Sequence, residues 1–139
     1  MSAYAANAGN QYKQQSAMTA TPGELTLMLY EGCLKNLKLS KIHIEAKDFP
    51  KSNESLQKAH AIVAELLNSL DMRYEISKQM SALYDYVINL IIWANVKKDV
   101  EKIDEIITHV TEMRDTWQQA VIIDRQQSKT TLRSCSYGA

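Results

Sequence analysis

The stretch TPGELTLMLYEGCLKNLKLSKIHIEA (21–46) decides the fold. Thr21 suits an N-cap, Pro22 the first helical position and Glu24 the third, so the segment opens as a capping box with the favoured first-turn proline. Apolar residues then recur at helical spacing for more than 20 residues, and Phe49-Pro50 predicts the stop near Ala46. Working outward, Ser52 or Asn53 is a good N-cap for a second helix reaching about Leu70. A third runs from about Ile76 to Val96 and closes on Lys97-Lys98, which complement the helix dipole. Asp99 caps a fourth, with Glu101, Asp104 and Glu105 in its first turns, running to about Ile123. Each helix is about 30 Å long and the connections are short, so neighbours must run antiparallel. The fold class expected is all-α, an up-down-up-down four-helix bundle with a flexible or short-helical N-terminal segment.

Composition agrees. The chain has 139 residues with only four Gly and two Pro, too few for a β fold that turns every ten residues. A chain of this length buries about two thirds of its surface, enough for one core without disulfide or metal. Sixteen basic and sixteen acidic side chains cancel, which argues against a broad phosphate-binding field and hence against nucleic acid. Residues 1–20 and 124–139 are polar and are expected to be tails, flanking a bundle domain at 21–123. The N-terminus lacks the pattern of a signal peptide, and the most apolar run, Val87 to Trp93, is too short to span a bilayer. Cys33 and Cys135 are expected to be free thiols, so the protein is read as cytoplasmic.

The apolar residues exceed what one core stripe per helix requires. On the first helix Leu25, Met28, Leu29, Gly32 and Leu39 make one stripe, and Tyr30, Cys33, Leu37 and Ile44 a second. On the third, Ile76, Met80, Leu83, Val87, Leu90, Ile91 and Ala94 make one stripe, and Tyr84, Ile88 and Ile92 another. The second helix centres on Leu56, Val63, Leu67 and Leu70, with Ile62 and Leu66 at its margin. The fourth has a single stripe, Ile103, Ile106, Ile107, Val110, Met113 and Trp117. Either the first and third helices touch neighbours on several sides, or part of the surplus lines a groove for an apolar partner. Leu25, Leu29, Leu83, Val87, Ile103, Val110 and Trp117 are expected in the core.

Catalytic chemistry is missing from the pattern. His43, His60 and His109 fall on three helices, none in HExxH or in a di-iron arrangement. No P-loop, GxGxxG or GxSxG occurs. Acid pairs such as Asp71 and Glu75, or Asp104 and Glu105, match the wet face of an amphipathic helix. No catalytic residue, cofactor or metal is expected.

Tyr12 and the blocks TATPGELTLMLYEGCLK (19–35), NESLQKAHAIVAELLNSLD (53–71), YEIS (74–77), LYDYV (83–87), ANVKKD (94–99) and MRDTWQQA (113–120) carry a resemblance to the flagellar secretion chaperone (FliS) family over residues 12–120. The resemblance implies a helical-bundle export chaperone that is not an enzyme. It would bind the disordered C-terminal segment of flagellin in the cytoplasm, prevent early polymerisation and assist delivery to the flagellar type III export apparatus. An anti-sigma factor is a further partner the family implies. The competing class is a bundle adaptor or chaperone for another secreted or regulatory partner. Surplus positions Ile62, Leu66, Tyr84, Ile88 and Ile92 are the expected groove, with Asn95 offering an amide to the partner's backbone or serving as a local cap. Tyr12 has two readings: it folds back into the empty groove and is displaced by flagellin, or it packs under the bundle end. Removing residues 1–14 tests the first reading by calorimetry against flagellin. Affinity that rises or holds supports a competing tail; loss of binding by a folded protein makes the tail part of the site.

Overall fold

The computed structural model describes residues 20–137, with side chains described to residue 127; Tyr12 lies outside this range. Four helices are found among the described residues: α1 (Pro22–Glu45), α2 (Phe49–Asn68), α3 (Glu75–Lys97) and α4 (Val100–Tyr137). They pack as a ring in chain order, α1 on α2, α2 on α3, α3 on α4 and α4 back on α1. This is the antiparallel all-α bundle expected from the short connections.

The caps explain the boundaries. The Thr21 hydroxyl accepts from the Glu24 amide at 3.2 Å, while the Glu24 carboxylate reaches across to Arg125 on α4. Helix α2 begins earlier than the sequence predicts. Asp48 is its N-cap, accepting from the Lys51 amide at 3.2 Å, and Pro50 sits inside the first turn, where its missing N–H costs nothing. Pro50 therefore starts a helix as well as ending one. Asp99 caps α4 as expected, accepting from Lys102 N at 3.2 Å. Helix α4 continues to Tyr137, past the expected stop near Ile123. No Gly or Pro lies between Asp124 and Tyr137, so nothing in the chain breaks it.

The core takes one face from each helix: Tyr30, Cys33, Leu34 and Leu37; Leu56, Ala59, Val63 and Leu66; Tyr84, Val87, Ile91 and Ala94; Ile103, Ile106 and Val110. On α1 the second expected stripe is the buried one, and Leu25 and Met28 are exposed. On α3 the core face is shared between the two expected stripes: Tyr84, Val87, Ile91 and Ala94 go inside, while Ile76 and Leu83 stay out. Of the expected anchors, Val87, Ile103 and Val110 are buried, Leu29 and Trp117 pack against the core, and Leu25 and Leu83 are corrected to the surface. The physical reason is a polar one. The Tyr30 and Tyr84 hydroxyls meet at 2.5 Å across the diagonal of the bundle. That bond requires a rotation of both helices that brings the two hydroxyls together. Gly32 of α1 faces α2, where a Cβ would stand 3.4 Å from Ile62 Cδ1, an ordinary van der Waals contact.

Few glycines leave the turns to other residues. Lys47 has φ 59 and Lys98 φ 51, both left-handed. At Lys47 the Asp48 amide donates to His43 O at 2.8 Å and the Lys47 amide to Ile44 O at 2.9 Å, a Schellman motif with lysine where glycine is usual. Replacing Lys47→Gly relieves about 1–2 kcal/mol of left-handed cost and adds about 0.5–1 kcal/mol of unfolded-chain entropy. Urea unfolding is expected to show a net gain of about 0–1.5 kcal/mol.

Three ionisable groups lie in this core. Burial pushes the Cys33 thiol up to about 12 and raises both Tyr30 and Tyr84 above the ordinary phenol value. For each, the folded state holds its proton to higher pH than the unfolded chain. Stability is therefore full below about pH 8.5 and falls as pH rises through the free thiol and phenol values near 8.5 and 10, by about 1.4 kcal/mol per pH unit per group. Urea melts at pH 7, 9 and 10.5 should show this decline, with Cys33→Ala removing the part that begins first.

Candidate partner groove

The seams between helices are unequal. Ion pairs cross from α1 to α4 at Glu24–Arg125, Glu31–Arg114 (2.9 Å) and Lys41–Asp104 (2.5 Å). Arg114 also holds its neighbour Asp115 at 2.8 Å, so the RDTW block supplies an interhelical ion pair. Trp117 adds an indole N–H bond of 2.9 Å to the Gly23 carbonyl. Exposed pairs contribute at most about 1 kcal/mol each, yet together they fix where α4 lies on α1.

Between α3 and α4 contact is sparsest, and the two helices part toward the N-terminus of α3. The gap is an apolar groove of about 670 Å³. Its α3 wall is Ile76, Met80, Leu83 and Val87; its α4 wall is Met113, Trp117 and Ala120. Leu66 of α2 and Leu70 just beyond its C-terminus close one side, and Tyr30 and Tyr84 form the floor. Ile76 is 62% exposed and Leu83 46%, so apolar surface stands open to solvent here. Farther along the same seam the gap is shut by polar contacts. Tyr86 donates to Glu105 at 3.3 Å and sets its ring edge-on to His109 at 5.5 Å, while Lys102 donates to Glu105 at 3.1 Å. The Lys102 ammonium is the main reason the Glu105 carboxyl lies below its usual range.

At the opposite end α2 and α3 are tied by amides. Asn95 donates to Asn53 at 2.7 Å and accepts from Lys98 at 2.5 Å. The Asn95 amide is thus engaged within the bundle.

The residues expected to form one groove are distributed over the molecule. Leu66 and Tyr84 are buried, 2% and 3% exposed, and line the α3–α4 groove, Leu66 at its side and Tyr84 on its floor. Ile62 is half-buried and turned to α1, against Gly32. Ile88 is half-buried on the core, Ile92 is 46% exposed, and both lie on the α3 flank that Asn95 marks as facing α2. Ile76 and Leu83, expected in core stripes, stand exposed in the groove wall, while Met80, Met113 and Trp117 pack against the core as expected and also line the groove. The surplus of apolar residues on α3 signalled an open face; its azimuth depends on how the helix is rotated.

Among the described residues no three His, Cys, Asp or Glu side chains come together as a metal site would need, and no helix is long and apolar enough to cross a membrane.

Comparison with known proteins fits this architecture. The family model described as flagellar protein FliS matches residues 5–124. The flagellar secretion chaperone FliS of Bacillus subtilis is 45% identical over 83% of this chain and 86% of its own length. The corresponding Campylobacter jejuni chaperone is 31% identical over 79% of this chain and 88% of its own. Among solved structures, a crystal structure of a bacterial flagellar chaperone superposes with a TM-score of 0.67 at 24% identity, covering 81% of this chain and 97% of that one, which supports the fold. The chain belongs to the FliS family of flagellar secretion chaperones.

Proposed function

We propose that this chaperone binds the C-terminal segment of flagellin in the cytoplasm, prevents premature polymerisation and assists delivery to the flagellar type III export apparatus. The observation that carries the reading is the open apolar groove between α3 and α4, with Ile76 and Leu83 exposed in its wall. A client held in an export-competent state must have its apolar helix faces covered, and an apolar groove is a surface that does this. The work required is binding alone, with no reacting group.

The energetics favour a client that orders as it binds. Each aliphatic side chain seated in the groove contributes about 1.5–3 kcal/mol. Two or three such side chains are offset in part by the cost of ordering the segment, about 2–5 kcal/mol or more. Useful affinity therefore needs more surface than the groove alone. The flank bearing Ile88 and Ile92 extends the apolar area along α3, and exposed Leu25 and Met28 offer a further strip on α1. A segment wrapped around several faces gains area while remaining releasable at the exporter.

Leu83 and Ile92 are exposed, so charging either leaves the core intact. Calorimetry with the last forty or so residues of the source's flagellin, against Leu83→Asp and Ile92→Asp, separates groove from flank. Loss of one seated side chain is expected to weaken binding about 10- to 150-fold. An unaffected Leu83→Asp removes the groove from the site; an unaffected Ile92→Asp removes the flank. No binding by the folded wild-type chain sinks the flagellin reading and leaves another export client.

A further inference from the structure

The floor of the groove is polar in an unusual way. Tyr30 and Tyr84 are 1% and 3% exposed, sit on diagonal helices and bring their hydroxyl oxygens to 2.5 Å. Two hydroxyls carry two protons, and one bond between them uses one. The second proton has no acceptor among the described residues. Several other donors along the groove are used internally: Thr26 and Thr116 donate to the carbonyls one turn back, Ser69 to Leu66 O and Trp117 to Gly23 O. Both tyrosine rings line the groove, so the second proton has its outlet there.

We infer that the Tyr30–Tyr84 pair is a hydrogen-bond donor for the client, giving its second proton to a free carbonyl or side-chain acceptor of the flagellin segment seated above it. This rests on the flagellin reading and narrows it. Carbonyls within a helix are consumed by the helix, except in its last turn. The part of the segment lying over the pair must therefore be a helix C-terminus, a break, or a polar side chain. An apolar groove with a donor buried in its floor also selects among clients. A segment lacking the acceptor leaves the proton stranded, whereas one that supplies it is favoured.

The pair makes an ordering that a merely structural bond would not. Either single variant, Tyr30→Phe or Tyr84→Phe, keeps one hydroxyl and one proton; only the double variant removes the donor. Singles leave an orphan hydroxyl in the core, and removing both partners relieves it, so the double variant should unfold no more readily than the singles. Binding should run the other way. Calorimetry with the flagellin C-terminal peptide is expected to give wild-type or tighter affinity for each single variant, and about tenfold weaker affinity for the double. A double variant that binds like wild type overturns the inference while leaving the flagellin reading in place; so do singles that lose as much as the double. No binding by wild type overturns both. On the unmodified chain, isotope-edited Cζ shifts of the two tyrosines must move when the peptide is added. Unchanged shifts in a bound complex overturn the inference even where the double variant does not fold.

Discussion

The structure turns on one buried polar contact, the bond between the Tyr30 and Tyr84 hydroxyls. A phenol can enter an apolar core only if its hydroxyl finds a partner, because an unpaired one costs about 1–3 kcal/mol. In this bundle each tyrosine is the other's partner. Since they stand on diagonal helices, the bond constrains the rotation of α1 and α3 together, and that rotation decides which apolar residues go inside. Cys33, Leu34 and Leu37 follow Tyr30 inward; Val87, Ile91 and Ala94 follow Tyr84. Leu25 and Met28 on one helix, Ile76 and Leu83 on the other, are turned out by the same choice.

The consequence for function is an asymmetry between seams. Helix α4 is shared by α1 and α3, and its charged contacts to α1, from Glu24–Arg125 to Lys41–Asp104, run nearly the full length of α1. With α4 drawn to α1 and α3 held to α2 through Asn95 and Asn53, the α3–α4 seam is where the ring is weakest. Polar contacts around Glu105 close one part of it. The part beyond is lined by Met80 and Met113, flexible side chains that tolerate varied packing partners, beside Ile76, Leu83 and Trp117. A bundle with equal seams would have no such opening.

Much of this was legible in the residues. The cap at Thr21, the cap at Asp99, the number of helices and the antiparallel order follow from local signals whose physics is short-range. The family is legible in the blocks around Tyr30, Tyr84 and Trp117. What periodicity cannot supply is the rotation of a helix with two apolar faces. On α1 the faces through Leu29 and through Tyr30 are equally helical, and choosing between them needs a partner 54 residues away. The expected groove residues dispersed for the same reason: Leu66 went to the side of the groove, Tyr84 to its floor, Ile62 to the α1 side and Ile92 to the flank of α3 that faces α2. Pro50 misled in a different way, since the residue type that ends one helix is equally suited to the first turn of the next.

The scarcity of glycine, which first pointed to a helical fold, has a cost that reappears in the turns. A chain with glycine at only four positions, none of them between α1 and α2 or between α3 and α4, must place other residues in left-handed backbone at those corners. Lysine fills both. The connections stay tight all the same, because the helix ends they close are held by packing between α1 and α2 and by the Asn53–Asn95–Lys98 contacts. The strain at the corners and the gap between α3 and α4 thus have one origin: helix–helix packing at the Asn95 end is strong enough to impose backbone conformations that the residues disfavour. At the Ile76 end it is thin enough to leave apolar walls uncovered.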